Sequence, residues 1–225
     1  MTTTTTTLRA VVAAALVLGV PSGCAAGGTP VSEDAAGLTQ EDVAGLTLHQ
    51  EFDRYRERHE RMQRVLAALQ RAVHDGEWDW NGGDDVPLIG GDGEPPLAGA
   101  DVHNSYALEA SRRWDPAGAR GSRADLGAVS EYAARHGWDA RVDHVGATWY
   151  LDTRTDDGWH VEYLVQPSGH YSLTVTSGLF WTNDADALTG AVAGRVPRDV
   201  PDHSPPGEYL PAPRWEDPVV GSPEP

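Results

Sequence analysis

Between Leu48 and Val73 the chain places Phe52, Tyr55, His59, Met62, Leu66, Leu69 and Val73 at alternating steps of three and four, which puts all seven on one stripe of a helix. Thr47 with Gln50 three residues on has the form of a capping box, and Gly76 suits the left-handed position that closes a helix. Glu57 to Arg61 and Glu60 to Arg64 are acid-first i,i+4 pairs of the kind that support an exposed helix face. Such a stripe can face its own core or form a seam with a partner chain. Three heptads are the least a seam needs, and Tyr55 and His59 pack poorly in one, so the stripe is assigned to the core. A monomer is favoured over an oligomer assembled through residues 52–73.

Further along, Tyr106, Leu108 and Ala110 alternate with polar neighbours over residues 104–111 and predict a strand. Ser122 with Asp125 opens a second helix whose apolar positions are Leu126, Val129, Tyr132 and Ala133, closed by Gly137. The period then switches to two. Residues 142–145, 147–153, 159–166 and 171–177 are successive strands, with Asp157-Gly158 as a hairpin turn and Pro167, Ser168 and Gly169 as the next. Trp149 and Leu151 share a face, as do Trp159, Val161, Tyr163 and Val165, and then Tyr171, Leu173 and Val175. A short helix is expected at 184–192. The pattern predicts one α+β domain over residues 47–194, an antiparallel β meander packed on one face against two main helices and wet on the other. From Arg195 onward nine of 31 residues are proline, which predicts an extended, largely unpacked and disordered tail over 195–225.

The other apolar run is different in kind. Val11 to Val20 is unbroken, follows Arg9, and ends in the small-residue patch Pro21, Ser22, Gly23, Cys24, Ala25, Ala26. A membrane-spanning helix needs roughly 20 apolar residues and a secretory leader about 7 to 15, so the run fits a signal peptide over 1–23 and an exported protein. Cys24 is the chain's single cysteine. Its setting resembles the bacterial lipoprotein signal, in which small residues occupy the two positions before the cysteine. Ser22 and Gly23 match, while Pro21 stands where leucine is usual. The resemblance implies a diacylglyceryl thioether on Cys24, cleavage just before it, and anchoring at the outer face of the cytoplasmic membrane. The alternative is a cysteine at the end of an ordinary leader, which would be an unpaired thiol in an exported protein. Residues 25–46 are small, acidic and glycine-rich, and read as a flexible tether with a random-coil span of roughly 25 Å.

The layout as a whole is similar to the LppA-like lipoproteins of actinobacteria. It comprises a Cys-terminated leader, the helix RYRERHERMQRVLAALQ, a W-x-W and acidic stretch, strands DGWHVEYLVQPSGHYSLTVTSG and the Pro-rich end PPGEYLPAPRW. That resemblance implies an envelope lipoprotein and carries no catalytic or ligand residues over.

Composition narrows the partners. Thirty-four acidic residues stand against 17 basic ones, all arginine, for a formal charge of −17, which becomes −18 once Arg9 leaves with the leader. Coulomb repulsion disfavours nucleic acid and anionic lipid surfaces, so membrane residence has to come from the lipid. Two chains of buried methylenes at about 0.8 kcal/mol each hold where one does not. Eight tryptophans against two phenylalanines reflect a GC-rich codon bias as much as any function.

Candidate chemistry is sparse. No G-x-S-x-G elbow, H-E-x-x-H motif or Gly-rich phosphate loop occurs, so no catalytic residue, cofactor or metal is assigned. Asp84, Asp85, Asp92, Glu94 and Asp101 lack the spacing of a calcium loop and read as a solvated acidic loop. His144, His160 and His170 lie on neighbouring strands where cross-strand partners approach to roughly 5 Å, and read as residues of the wet face. Trp78 and Trp80, on one face of a short strand over 77–80 and followed by Asp84 and Asp85, form the candidate binding surface for a wall component or envelope protein. Their other role is core packing, which is the commoner fate of large aromatics. The expectation is a non-catalytic binding or interaction module. The alternatives are a wall hydrolase using Asp84 and Asp85, or the helix-mediated oligomer.

Overall fold

The computed structural model describes residues 32–80, 84, 87–90, 96–196 and 201–220. Four α-helices occur among them, α1 (Gln40–Ala44), α2 (Leu48–Val73), α3 (Gly127–Arg135) and α4 (Ala185–Ala193). The strands are β1 (Trp78–Asp79), β2 (Leu88–Ile89), β3 (Ser105–Ala107), β4 (Glu109–Trp114), β5 (Ala140–Val145), β6 (Thr148–Arg154), β7 (His160–Val165), β8 (Tyr171–Thr176), β9 (Phe180–Trp181) and β10 (His203–Ser204). They form a seven-stranded sheet in the order β10-β1-β4-β8-β7-β6-β5 and a three-stranded sheet in the order β2-β3-β9, every recorded pairing antiparallel. The fold is α+β.

α2 starts where the sequence puts it. Thr47 accepts from the Gln50 amide and Gln50 returns a bond to the Thr47 amide, closing two of the orphan donors of the first turn. The stripe then points into the core: Phe52, Tyr55, Met62, Leu66 and Leu69 are all at most 2% exposed. Each such side chain contributes about 1.5–3 kcal/mol by leaving water. Val161, Tyr163 and Val165 of β7 and Leu173 and Val175 of β8 meet that stripe from the sheet, while the intervening residues stay half-buried on the other face. The stripe is spent on the chain's own core.

The β6–β7 hairpin closes as the sequence predicts, with Gly158 at φ +87°, a left-handed conformation that suits glycine. Thr155 pins the turn, its amide bonding the Trp159 carbonyl and its hydroxyl accepting from the Trp159 amide.

Residues 104–111 do not form one strand. β3 pairs in the small sheet and β4 in the large one, and the change of sheet falls at Leu108, whose amide bonds the Ser177 hydroxyl and whose carbonyl takes the Ser177 amide. The helix expected from Ser122 begins as a 3-10 turn, Arg123–Leu126, before continuing as α3. α4 is capped by Asp184, which accepts from the Ala187 amide.

Two expectations about the ends change. Residues 32–46, taken as the second half of a tether, are folded onto the domain. Asp34 accepts from the amides of Ala36, Leu38 and Trp181, Val43 is 1% exposed, and Asn183 donates to the carbonyls of Val43 and Leu46. Composition could not show this, because the bonds are made to β9 and the loop after it. The proline-rich end is likewise held to the domain at points over 201–220, where Ser204, Ala212 and Pro213 are buried. β10 pairs with β1, Trp80 Nε1 donates to Ser204 Oγ, and Trp215 stacks on His49 and meets Phe52 edge-on. Extended backbone without its own ladder still buries side chains when a helix face is waiting for it.

Candidate functional site

Cys24 and Asp85 lie outside the described residues, as do Asp92 and Glu94 of the acidic loop. Trp78 and Trp80 are 0% and 2% exposed, so they take the core-packing role and the candidate binding platform is removed. Trp78 donates to the His74 carbonyl and packs on Trp114. Trp80 lies under the Arg112 guanidinium at 4.1 Å from Cζ to ring centroid. Asp84 faces inward too, accepting from Arg112 at 2.6 Å and from Gln63 at 2.5 Å. The W-x-W stretch is a structural joint between β1, β4 and the tail.

The three strand histidines are not brought together. His144 lies tilted against Trp149, His160 pairs with Asp152 at 3.1 Å, and His170 pairs with Asp115 at 2.7 Å. Among the described residues no three His, Cys, Asp or Glu side chains are grouped to hold a metal, and no helix is long and apolar enough to cross a membrane.

The open space lies elsewhere, around the turn that joins β6 to β7. A cavity of about 920 Å³ lies along the ends of β6, β7 and β8, bounded by Trp138 and Leu88. One of about 450 Å³ lies between that turn and α2, and one of about 570 Å³ lies between the turn and the N-terminal segment Glu33–Ala35. The three share lining: Arg154 belongs to the first and third, Ser177 to the first and second, and Gly158, Gly178 and Ala35 to the second and third. The three adjoin one another as a groove around the β6–β7 turn, and each is in the size range of small-molecule sites.

The chemistry differs along it. In the largest cavity Asp152 holds His160 with Arg141, Asp139 and Asp156 nearby. Glu162, opposite Asp152 in the β6–β7 register, has its carboxyl pushed above the usual range by burial and then by the negative charge of Asp152. Among the described residues the side-chain partner of His160 is the Asp152 carboxylate.

In the α2 cavity three arginines from successive turns, Arg54, Arg58 and Arg61, line one wall above Trp159 and Phe180, which are 5% and 3% exposed. Arg61 forks onto Asp157 through Nε at 2.7 Å and Nη2 at 3.0 Å, a bond that raises the guanidinium's pKa and lowers that of the carboxyl. Arg58 donates to the Tyr106 hydroxyl at 2.7 Å, sits 3.8 Å from Asp34, and lies over the Phe180 ring at 4.0 Å. Arg54 Nη1 is shielded from solvent without a hydrogen-bond partner among the described residues. The i,i+4 pairing with Glu57 puts Arg61 on an exposed face in the sequence, and nothing in that reading singles out Arg54 or Arg58. A second stripe at steps of four and three, parallel to the apolar one, was the available signal.

No family model matches the chain, and no curated protein matches it. A crystal structure of a DUF4853 family protein from Actinomyces odontolyticus is similar to it at a TM-score of 0.37 and 16% identity, over 63% of this chain and 72% of that one.

Proposed function

We propose that the chain is an exported lipoprotein, anchored through Cys24 at the outer face of the membrane, whose α+β domain binds a ligand in the groove around the β6–β7 turn without catalysing a reaction. One observation carries the reading: the first described residues after the leader, Glu33–Ala36, are themselves a wall of the groove. Seven residues lie between Cys24 and Ser32. At 3.3–3.6 Å per residue the eight steps from Cys24 to Ser32 reach at most about 29 Å, so an anchored domain would present the groove close to the lipid surface.

Asp84, bonded to Arg112 and Gln63, speaks against the hydrolase reading, because a general acid needs access to a substrate and this carboxylate is 9% exposed. Fractionation of cells producing the full chain tests the anchoring. The wild type is expected in the membrane fraction, digestible by protease added outside, with Cys24→Ser released to the soluble fraction. Wild-type protein found free in the medium overturns it.

A further inference from the structure

We infer that residues 209–213 are a pH-sensitive strap across α2, closed while His59 is neutral and released when its imidazole takes a second proton. No residue of the strap lines the groove, so the device is independent of what binds there. The strap hangs between two pinned ends. On one side β10 pairs with β1, the Trp80 amide bonds the Asp202 carbonyl, and Arg71 donates to the Pro206 carbonyl. On the other, Arg195 donates to the Trp215 carbonyl and lies over its ring at 4.9 Å, and the Val220 amide bonds the Gly194 carbonyl. Between them, among the described residues, Tyr209, Leu210, Pro211, Ala212 and Pro213 make no backbone hydrogen bond. Side-chain packing holds them: Ala212 and Pro213 are buried, and Tyr209 sets its ring edge-on to His59 with 6.2 Å between centroids. A segment held this way can open locally without unfolding the domain.

The polar groups beneath the strap fit one protonation state. The Asp84 carboxylate can only accept, so the Gln63 atom bonded to it is the amide nitrogen, and that nitrogen also stands 3.5 Å from His59 Nε2. Nε2 therefore faces a donor and carries the lone pair. The ring hydrogen is then on Nδ1, which is shielded from solvent and has no partner among the described residues. His59, 4% exposed, borders a cavity of about 40 Å³ with Tyr55, Trp80 and Asp84, and the strap closes it from above. A second proton would go to Nε2 and meet the Gln63 N–H, donor against donor, in a pocket shut off from water. Each Asp84 oxygen already takes a bond, one from Arg112 and one from Gln63. Asp84 and Glu60 favour the charged ring and Arg112 opposes it, but burial outweighs them and holds the imidazole below its ordinary value. Tyr55 offers only a neutral phenol, its hydroxyl pushed up by burial. Among these walls the strap is the one without a ladder, so lifting it is how water reaches the imidazolium.

Hydrogen exchange of the full chain in detergent, read by mass spectrometry, tests the strap. Wild type and His59→Gln are compared at each pH, so that the intrinsic exchange rate cancels, and His49 and His203 at the pinned ends, present in both proteins, drop out as well. The ratio of wild-type to variant exchange over 207–215 should rise between pH 7.5 and 5, by up to about tenfold per unit below 6.5, while residues 62–70 of α2 keep a constant ratio. Tyr209→Ala, which removes a half-buried ring of the strap, is the reciprocal arm: by linkage its His59, followed by NMR, should titrate closer to 6.5 than in wild type. A ratio over 207–215 that does not change with pH overturns the strap, as does a His59 that titrates in Tyr209→Ala as in wild type. Exchange that rises equally over 62–70 and 207–215 overturns it too, leaving His59 as a determinant of the whole fold's stability.

Discussion

Asp84→Ala is the substitution that most sharply separates a structural carboxylate from a functional one. Asp84 and Arg112 are 9% and 2% exposed in their side chains and meet at 2.6 Å, with Trp80 stacked on the guanidinium and Gln63 bonded to the second carboxylate oxygen. Removing the carboxylate strands a buried guanidinium, which costs about 3–5 kcal/mol, and leaves Gln63 without its acceptor for about 1 kcal/mol more. For a domain of this size each kcal/mol moves the melting temperature by about 2–4 °C, so a fall of about 8–24 °C is expected in a circular-dichroism melt. The double variant Asp84→Leu with Arg112→Met exchanges the pair for apolar volume and should recover most of the loss, since buried pairs are worth little net against a well-packed isostere. A loss below about 1 kcal/mol in Asp84→Ala, or a double variant no more stable than the single one, would refute the reasoning.

Three further outcomes follow from the same packing. Asp34→Ala removes a fully buried carboxylate that takes three backbone amides and faces Arg58, so urea denaturation should show a loss of about 3 kcal/mol; an unfolded tether over 32–46 would give none. Trp215→Ala should cost about 2 kcal/mol by losing its stack on His49 and its edge contact with Phe52, whereas an unpacked tail would make the change silent. His59 is held below its usual value of 6.5 by burial, opposed by Asp84 and Glu60 and assisted by Arg112. The unfolded chain therefore takes up a proton near pH 6.5 that the folded chain refuses, and stability is lost as pH falls from there toward the folded value. Relative to wild type, His59→Gln should lack that slope, which reaches about 1.4 kcal/mol per pH unit at most; parallel curves between pH 7 and 5 would contradict it.

The parts of the fold legible in sequence were those encoded by local period. The stripe from Phe52 to Val73, the capping pairs Thr47–Gln50 and Ser122–Asp125, and the alternation in β6, β7 and β8 are each complete within a dozen or so residues, and the structure uses them as read. What escaped depends on partners distant in the chain. Nothing near Asp34 says that it accepts from Trp181, and nothing near Trp215 says that Phe52 and His49 leave a place for it. The same holds at the site. The Trp78 and Trp80 pair is conspicuous in sequence yet buried by β4 and the tail, whereas the groove is assembled from α2, the β6–β7 turn and residues 33–36, segments that only the topology brings together.

The central claim, that this domain works while tethered to the membrane, is met most directly by the intact mass of the full-length gene product extracted from membranes. A mature chain that begins at Cys24 and carries the added mass of a diacylglyceryl thioether is the predicted result. An unmodified chain, or one cleaved after Cys24, would contradict it.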